Sequence, residues 1–91
     1  MNVTFPINEQ TKGSIVRITG LEYLPSVVFI GRFAKLENDV LSVDDVYYDG
    51  RTHGTELFSG NSLYVDIPTY EQVFEYGMVC GREKSKGDEN D

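Results

Sequence analysis

The stretch "GRFAKLENDVLSVDDVYYDG", residues 31–50, decides the fold, because it is either an acidic ligand site or a hairpin coated with acid. It gathers Glu37, Asp39, Asp44, Asp45 and Asp49 among apolar and aromatic residues. A calcium loop needs oxygen ligands at alternating positions, then a glycine, then a distant glutamate. "DDVYYDG" has its glycine directly after the last aspartate and no glutamate at the required offset. Asp44 and Asp45 are adjacent, and neighbours in a strand point to opposite faces unless a bulge intervenes. They therefore do not read as a carboxylate pair for acid–base chemistry. "ENDV" reads as a turn, since Asn38 and Asp39 tolerate left-handed backbone and favour a tight hairpin. Acidic side chains at its rim also discourage edge-to-edge aggregation.

Outward from that turn, the chain reads as strands separated by Gly, Pro, Asn and Asp. "SVVFIGRFAKL" (26–36) leads into it and "VLSVDDVYY" (40–48) leaves it. The first of these is apolar on both faces, with Val28, Ile30, Ala34 and Leu36 on one and Val27, Phe29 and Phe33 on the other. Such a strand is buried on both faces, or has one covered by another subunit. Gly31 interrupts it midway, where a missing side chain lets a strand bend or a second backbone approach. Upstream lies "SIVRITG" (14–20), and downstream "SLYVDIP" (62–68) alternates cleanly between faces. "VFEYGMVC" (73–80) is the candidate fifth strand, with Phe74, Tyr76, Met78 and Cys80 on one side, although a helix also suits "TYEQVFEY". The expected fold is all-β: a small, strongly bent, five-stranded antiparallel barrel.

At 91 residues the chain is expected to form one domain over residues 1–81, followed by a mobile charged tail, 82–91, without large apolar residues. Cys80 is the only cysteine, so no disulfide can form within the chain, and it reads as a small buried hydrophobe. Self-association is then the remaining stabiliser for a thin core. The opening "MNVTFPINEQTKG" lacks the pattern of a secretory leader, and the longest strictly apolar run is Val27–Ile30. A reducing, cytoplasmic setting away from membranes is expected. Fifteen acidic against eight basic residues give a net charge of −7, which disfavours unspecific adhesion to nucleic acid or anionic membrane. His53, the only histidine, sits in "DGRTHGTE" and reads as a solvated loop imidazole. No nucleophile set, phosphate loop or zinc spacing is visible, so no enzyme, metal or cofactor is expected.

"FIGRFAKLEND" followed by "VLSVDDVYY" resembles the first signature of the Sm/LSm and Hfq family, through Gly31, Leu36, Glu37, Asn38, Leu41, Asp44, Asp45 and Val46. "LFSGNSLYVDIP" resembles the second signature, through Gly60 and Asn61. Size, acidity and charged tail are also similar to Sm-like proteins of marine cyanophages, whose setting would be the host cytoplasm. The pattern departs from the family in its shortened hairpin turn without a stacking aromatic, and in Ser59 where a basic residue is usual. A second register makes 62–68 the fourth strand and 73–80 the fifth, leaving 50–61 as a loop. The resemblance implies an Sm-like barrel that closes into a homo-oligomeric ring through edge-strand pairing and binds single-stranded RNA or DNA. Asn38, Asp39, Gly60 and Asn61 would then lie at the base pocket. Arg32 and Lys35 would approach phosphate, and Tyr64, Tyr47 or Tyr48 would stack. An acidic module that binds another protein, such as a phage-encoded modulator of a host protein, is the alternative.

Overall fold

A computed structural model describes residues 1–89, with side-chain surroundings for residues 1–82. In chain order its strands are β1 (Asn2–Val3), β2 (Ile15–Thr19), β3 (Phe29–Glu37), β4 (Val40–Tyr48), β5 (Arg51–Thr52), β6 (Glu56–Phe58) and β7 (Tyr64–Asp66), followed by helix α1 (Tyr70–Glu89). Asn38 (φ 54°) and Asp39 (φ 61°) both take left-handed backbone while Glu37 pairs with Val40, so a two-residue turn joins β3 to β4. Two positive φ values match the right-handed twist of the flanking strands. Asp49 (φ 54°) and Gly50 (φ 83°) repeat the device between β4 and β5, with Tyr48 opposite Arg51. The 31–50 stretch thus contains two hairpin turns.

The strands form one sheet in the order β1-β7-β2-β3-β4-β5, with β6 also paired to β4. The β1–β7 pair is parallel and the others are antiparallel. The sheet is not closed by hydrogen bonding among the described residues, so the protein is mostly β with an open strand path. Of the two registers, 56–58 pairs with β4 and 64–66 pairs with β2, so the second register is not adopted. The outer edge of β7 is occupied by β1: Asn2 N–H donates to the Leu63 carbonyl at 2.7 Å and Thr4 N–H to the Val65 carbonyl at 2.9 Å.

The expected fifth strand over 73–80 is corrected to helix, the one helix longer than a single turn among the described residues of an otherwise β chain. The cause is local. Thr69 Oγ1 accepts from Gln72 N–H at 3.2 Å, and Gln72 Oε1 accepts from Thr69 N–H at 2.8 Å. This reciprocal capping box satisfies two donors that a helix start otherwise leaves open. Gln72, Val73, Tyr76, Val79 and Cys80 then form the inward stripe, at helical rather than strand spacing. The alternation of 74, 76, 78 and 80 separates accordingly: Tyr76 is buried, while Phe74 and Met78 are exposed. Residues 82–89, read as a mobile charged tail, continue α1, and Asn90 and Asp91 lie outside the described residues.

One core cluster fills the inner face of the sheet, from Phe5, Val16, Ile18, Phe29, Phe33, Leu41, Val43, Val46, Phe58, Leu63 and Val65. Phe29 meets Phe58 and Tyr48 edge-on, with ring centroids 5.2 and 4.8 Å apart. Ile30, on the other face of β3, is also buried. The chain's own helix covers this second face only around Ile30, while Val28 and Leu36 remain exposed. Gly31 sits where β3 and β4 come closest. A Cβ there would run into Val43 Cγ1 and would stand 3.0 Å from the Asp44 carbonyl oxygen. The register slips beside it, from Ile30 opposite Tyr47 to Arg32 opposite Asp44. β4 thus carries an extra residue at a bulge, and Asp45 takes a positive φ of 49° there.

Candidate functional site

The β3–β4 turn places Asn38 and Asp39 at an exposed tip, with Lys35 on the strand leading into it. Leu41 pairs with Phe58, so the connection to β7 leaves β6 beside this turn, but it runs on to Gly20, whose carbonyl accepts from Ser62 Oγ at 2.7 Å. Gly60 holds φ 131°, and the Asn61 carbonyl accepts from Asn2 Nδ2 at 3.4 Å. A groove of about 410 Å³ runs beside the β3–β4 turn, lined by Lys35, Glu37, Asn38, Val40, Ser42 and Leu57. Its cation is engaged: Lys35 Nζ lies 3.2 Å from Glu37 Oε2.

The remaining expected site residues lie elsewhere. Arg32 Nη1 donates to the Gly13 carbonyl at 3.0 Å, and its guanidinium stands 5.8 Å from the centre of the Tyr76 ring. Its charge is held at the junction of β3, the 11–14 segment and α1 rather than at the turn. Tyr64 is exposed on β7, between Asn2 of β1 and Thr19 of β2. Tyr47 Oη donates to Glu75 Oε1 at 2.9 Å, and that hydrogen bond, ahead of burial, raises its phenol above the ordinary range. Tyr48 packs on Phe29 and stacks on His53, with ring centroids 3.8 Å apart and planes 15° from parallel. His53 is therefore a half-buried stacking partner rather than a solvated imidazole, and its Nε2 lies 3.0 Å from the Tyr48 carbonyl oxygen.

The acidic pair is arranged by the bulge. Val43 and Val46 both point into the core, so Asp44 and Asp45 lie together between them, outside it. Asp44 Oδ1 accepts from Thr55 Oγ1 at 2.8 Å. The Asp45 carbonyl accepts from Tyr76 Oη at 2.8 Å. Among the described residues no three His, Cys, Asp or Glu side chains come together as metal ligands. No described helix is long and apolar enough to cross a membrane.

Helix α1 is fixed to the outer face by polar bonds at one end and apolar packing at the other. Arg17 grips Asp66 with two hydrogen bonds, Nε to Oδ1 at 2.8 Å and Nη2 to Oδ2 at 2.6 Å, and its Nη1 reaches Gln72 Oε1 at 3.2 Å. The bond to Asp66 raises the guanidinium further above its ordinary range. Tyr76 is fully buried, and burial, with the Cys80 thiol beside it, pushes its phenol well above the ordinary range. Cys80 itself is half-buried at the margin of this contact.

The opposite side of α1 is the feature that strand-based reading missed. Tyr70, Phe74 and Met78 follow one another at four-residue intervals and are all exposed. With about 3.6 residues per turn, Gly77 and Gly81 fall on the same outward side, where the exposed Glu71, Glu75 and Arg82 flank the apolar residues. The sequence carried a signal for it in "TYEQ", a capping box immediately after Pro68. Compared with known protein families, with curated proteins and with solved structures, the chain matches none.

Proposed function

We propose that the chain is an Sm-like small-barrel module that works by binding, without chemistry of its own, and that its partner is a protein. The antiparallel path β7-β2-β3-β4-β6, with its register shift beside Gly31 and its turn at Asn38–Asp39, supports the Sm-like part of this reading. The observation that carries the choice of partner is the outward face of α1, with its exposed Tyr70, Phe74 and Met78. Large apolar side chains exposed in succession along one helix form a patch of the kind that another chain covers.

Nucleic-acid binding is the second reading, favoured by the exposed β3–β4 turn carrying Asn38 and Asp39 and by the exposed Gly60 and Asn61 of the connection into β7. Phosphate contacts dominate such affinity, and Lys and Arg supply the charge that neutralises them. Lys35 is already paired with Glu37, Arg32 is held on Gly13 and Tyr76, and the net charge is −7. The excess of acid over base therefore opposes the approach of a phosphate backbone. Ring closure through β7 would multiply such contacts, but it requires β1 to leave the edge it occupies.

Fluorescence anisotropy of short U-rich and A-rich oligonucleotides at several salt concentrations separates the two readings. The expected result is no saturable binding at physiological salt, and at most a weak, sequence-independent signal at low salt. Saturable binding that Asn38→Ala weakens for one base composition, and whose salt slope Lys35→Ala flattens, would overturn the protein-partner reading.

A further inference from the structure

We propose that the occupant of the outward α1 face is a second copy of this chain, docked as an antiparallel helix pair about a two-fold axis. This rests on the protein-partner reading and goes beyond it by naming the partner. Three independent features of α1 agree on one register.

The first is exposure. Tyr70 is 85 % exposed, Phe74 63 % and Met78 54 %, with Ile67 at 63 % just before the helix. Aromatic side chains bury about 150–250 Å² each when fully covered. The stripe therefore offers about 400–500 Å², over half of the ~800 Å² each partner contributes to a standard interface. Its polar margins supply the remainder, as in interfaces with an apolar centre and a charged rim.

The second is the pair of glycines. Gly77 and Gly81 lie inside the helix with nothing within 4 Å of the position a Cβ would take. Each lowers helix stability by about 1 kcal/mol relative to alanine. Packing within one copy gives no reason for that cost. A second helix does, because Gly77 and Gly81 together leave a gap one turn long in the outward stripe.

The third is charge. Glu71 near the start of α1 and Arg82 beyond its middle share one flank of the stripe, given about 3.6 residues per turn. An antiparallel pair with its axis level between Tyr76 and Gly77 puts Phe74 of each copy midway between Gly77 and Gly81 of the other. The same register sets Glu71 of each copy opposite Arg82 of the other. A large ring then fills each gap and an ion pair closes each end, the self-complementarity that a two-fold interface requires.

Sedimentation equilibrium across a wide concentration range tests this. The weight-average mass of the wild type should rise from 10.3 kDa toward twice that value. Phe74→Glu should remain a single copy with unchanged far-UV circular dichroism, since its side chain is exposed. Gly81→Leu should melt no lower than wild type yet associate at least tenfold more weakly, an outcome that misfolding would not produce. Glu71→Arg and Arg82→Glu should each weaken association, and the double exchange should restore it. A wild-type mass of one copy at every concentration, or association that survives Phe74→Glu and Gly81→Leu, would overturn the proposal. A single-copy mass with no oligonucleotide binding would remove the second copy as partner and leave the protein-partner reading standing. Saturable oligonucleotide binding at the turns would remove that reading itself.

Discussion

Gly31→Ala is expected to destabilise the domain by about 2–3 kcal/mol, among the largest effects of adding a single methyl group anywhere in the chain. Gly31 is buried, and the added Cβ would collide with Val43 Cγ1 while standing 3.0 Å from the Asp44 carbonyl oxygen. The backbone of β4 cannot retreat freely there, because Val43 and Val46 are both fully buried in the core. A second substitution separates the two obstacles. Val43→Ala removes the colliding methyl group and itself leaves a cavity, so on its own it should also destabilise. In Gly31→Ala/Val43→Ala the clash with the side chain disappears and the two costs should fall short of additive by at least about 1 kcal/mol. Chemical denaturation of the four proteins measures this directly. Strict additivity would mean that the close approach of β3 and β4 is not what demands a glycine.

Tyr76→Ala is expected to cost about 3–5 kcal/mol, the range for deleting a buried aromatic side chain. The ring is fully buried between α1 and the sheet, beside Tyr47 and beneath the Arg32 guanidinium. Its loss would also release the Asp45 carbonyl, which accepts from Tyr76 Oη at the bulge. Tyr76→Phe isolates that bond and should cost only about 1–2 kcal/mol. The pH dependence follows from the same phenol. Burial raises it above the ordinary value of 10.0, so the folded state holds this proton more tightly than the unfolded state. Its contribution is complete below pH 10 and declines as pH rises further, by up to about 1.4 kcal/mol per pH unit. Denaturation midpoints measured from pH 8 upward should therefore fall above pH 10 in the wild type. In Tyr76→Phe the decline should be shallower, with the remainder attributable to Tyr47. An unchanged alkaline slope would show that Tyr76 is not the buried titrating group.

The central hairpin was legible in the sequence because its signals are local. Asn38–Asp39 could turn only with positive φ values, and Gly31 marked the close approach of strands β3 and β4. The Asp49–Gly50 turn carried an equally direct signal, a dipeptide suited to a two-residue hairpin, hidden inside what read as an acidic strand end. The bulge at Asp45 was not legible, since it arises from the register slip of β4 against β3 beside Gly31. Residues 73–80 misled because Phe74, Tyr76, Met78 and Cys80 alternate as a strand would, while the capping residues Thr69 and Gln72 lie outside that window. The site residues expected from resemblance were separated by tertiary structure. Neither the engagement of Arg32 with Gly13 and Tyr76 nor the pairing of Lys35 with Glu37 follows from their spacing in the chain.

The most direct test of the account is an amide correlation NMR spectrum of the full chain, recorded through a dilution series and again with a U-rich oligonucleotide at low salt. The account predicts concentration-dependent shifts along the outward face of α1, centred on Phe74, Gly77, Met78 and Gly81, and none at the β3–β4 turn when oligonucleotide is added. Shifts at Asn38, Asp39, Gly60 and Asn61 on adding oligonucleotide, with α1 unchanged by dilution, would contradict it.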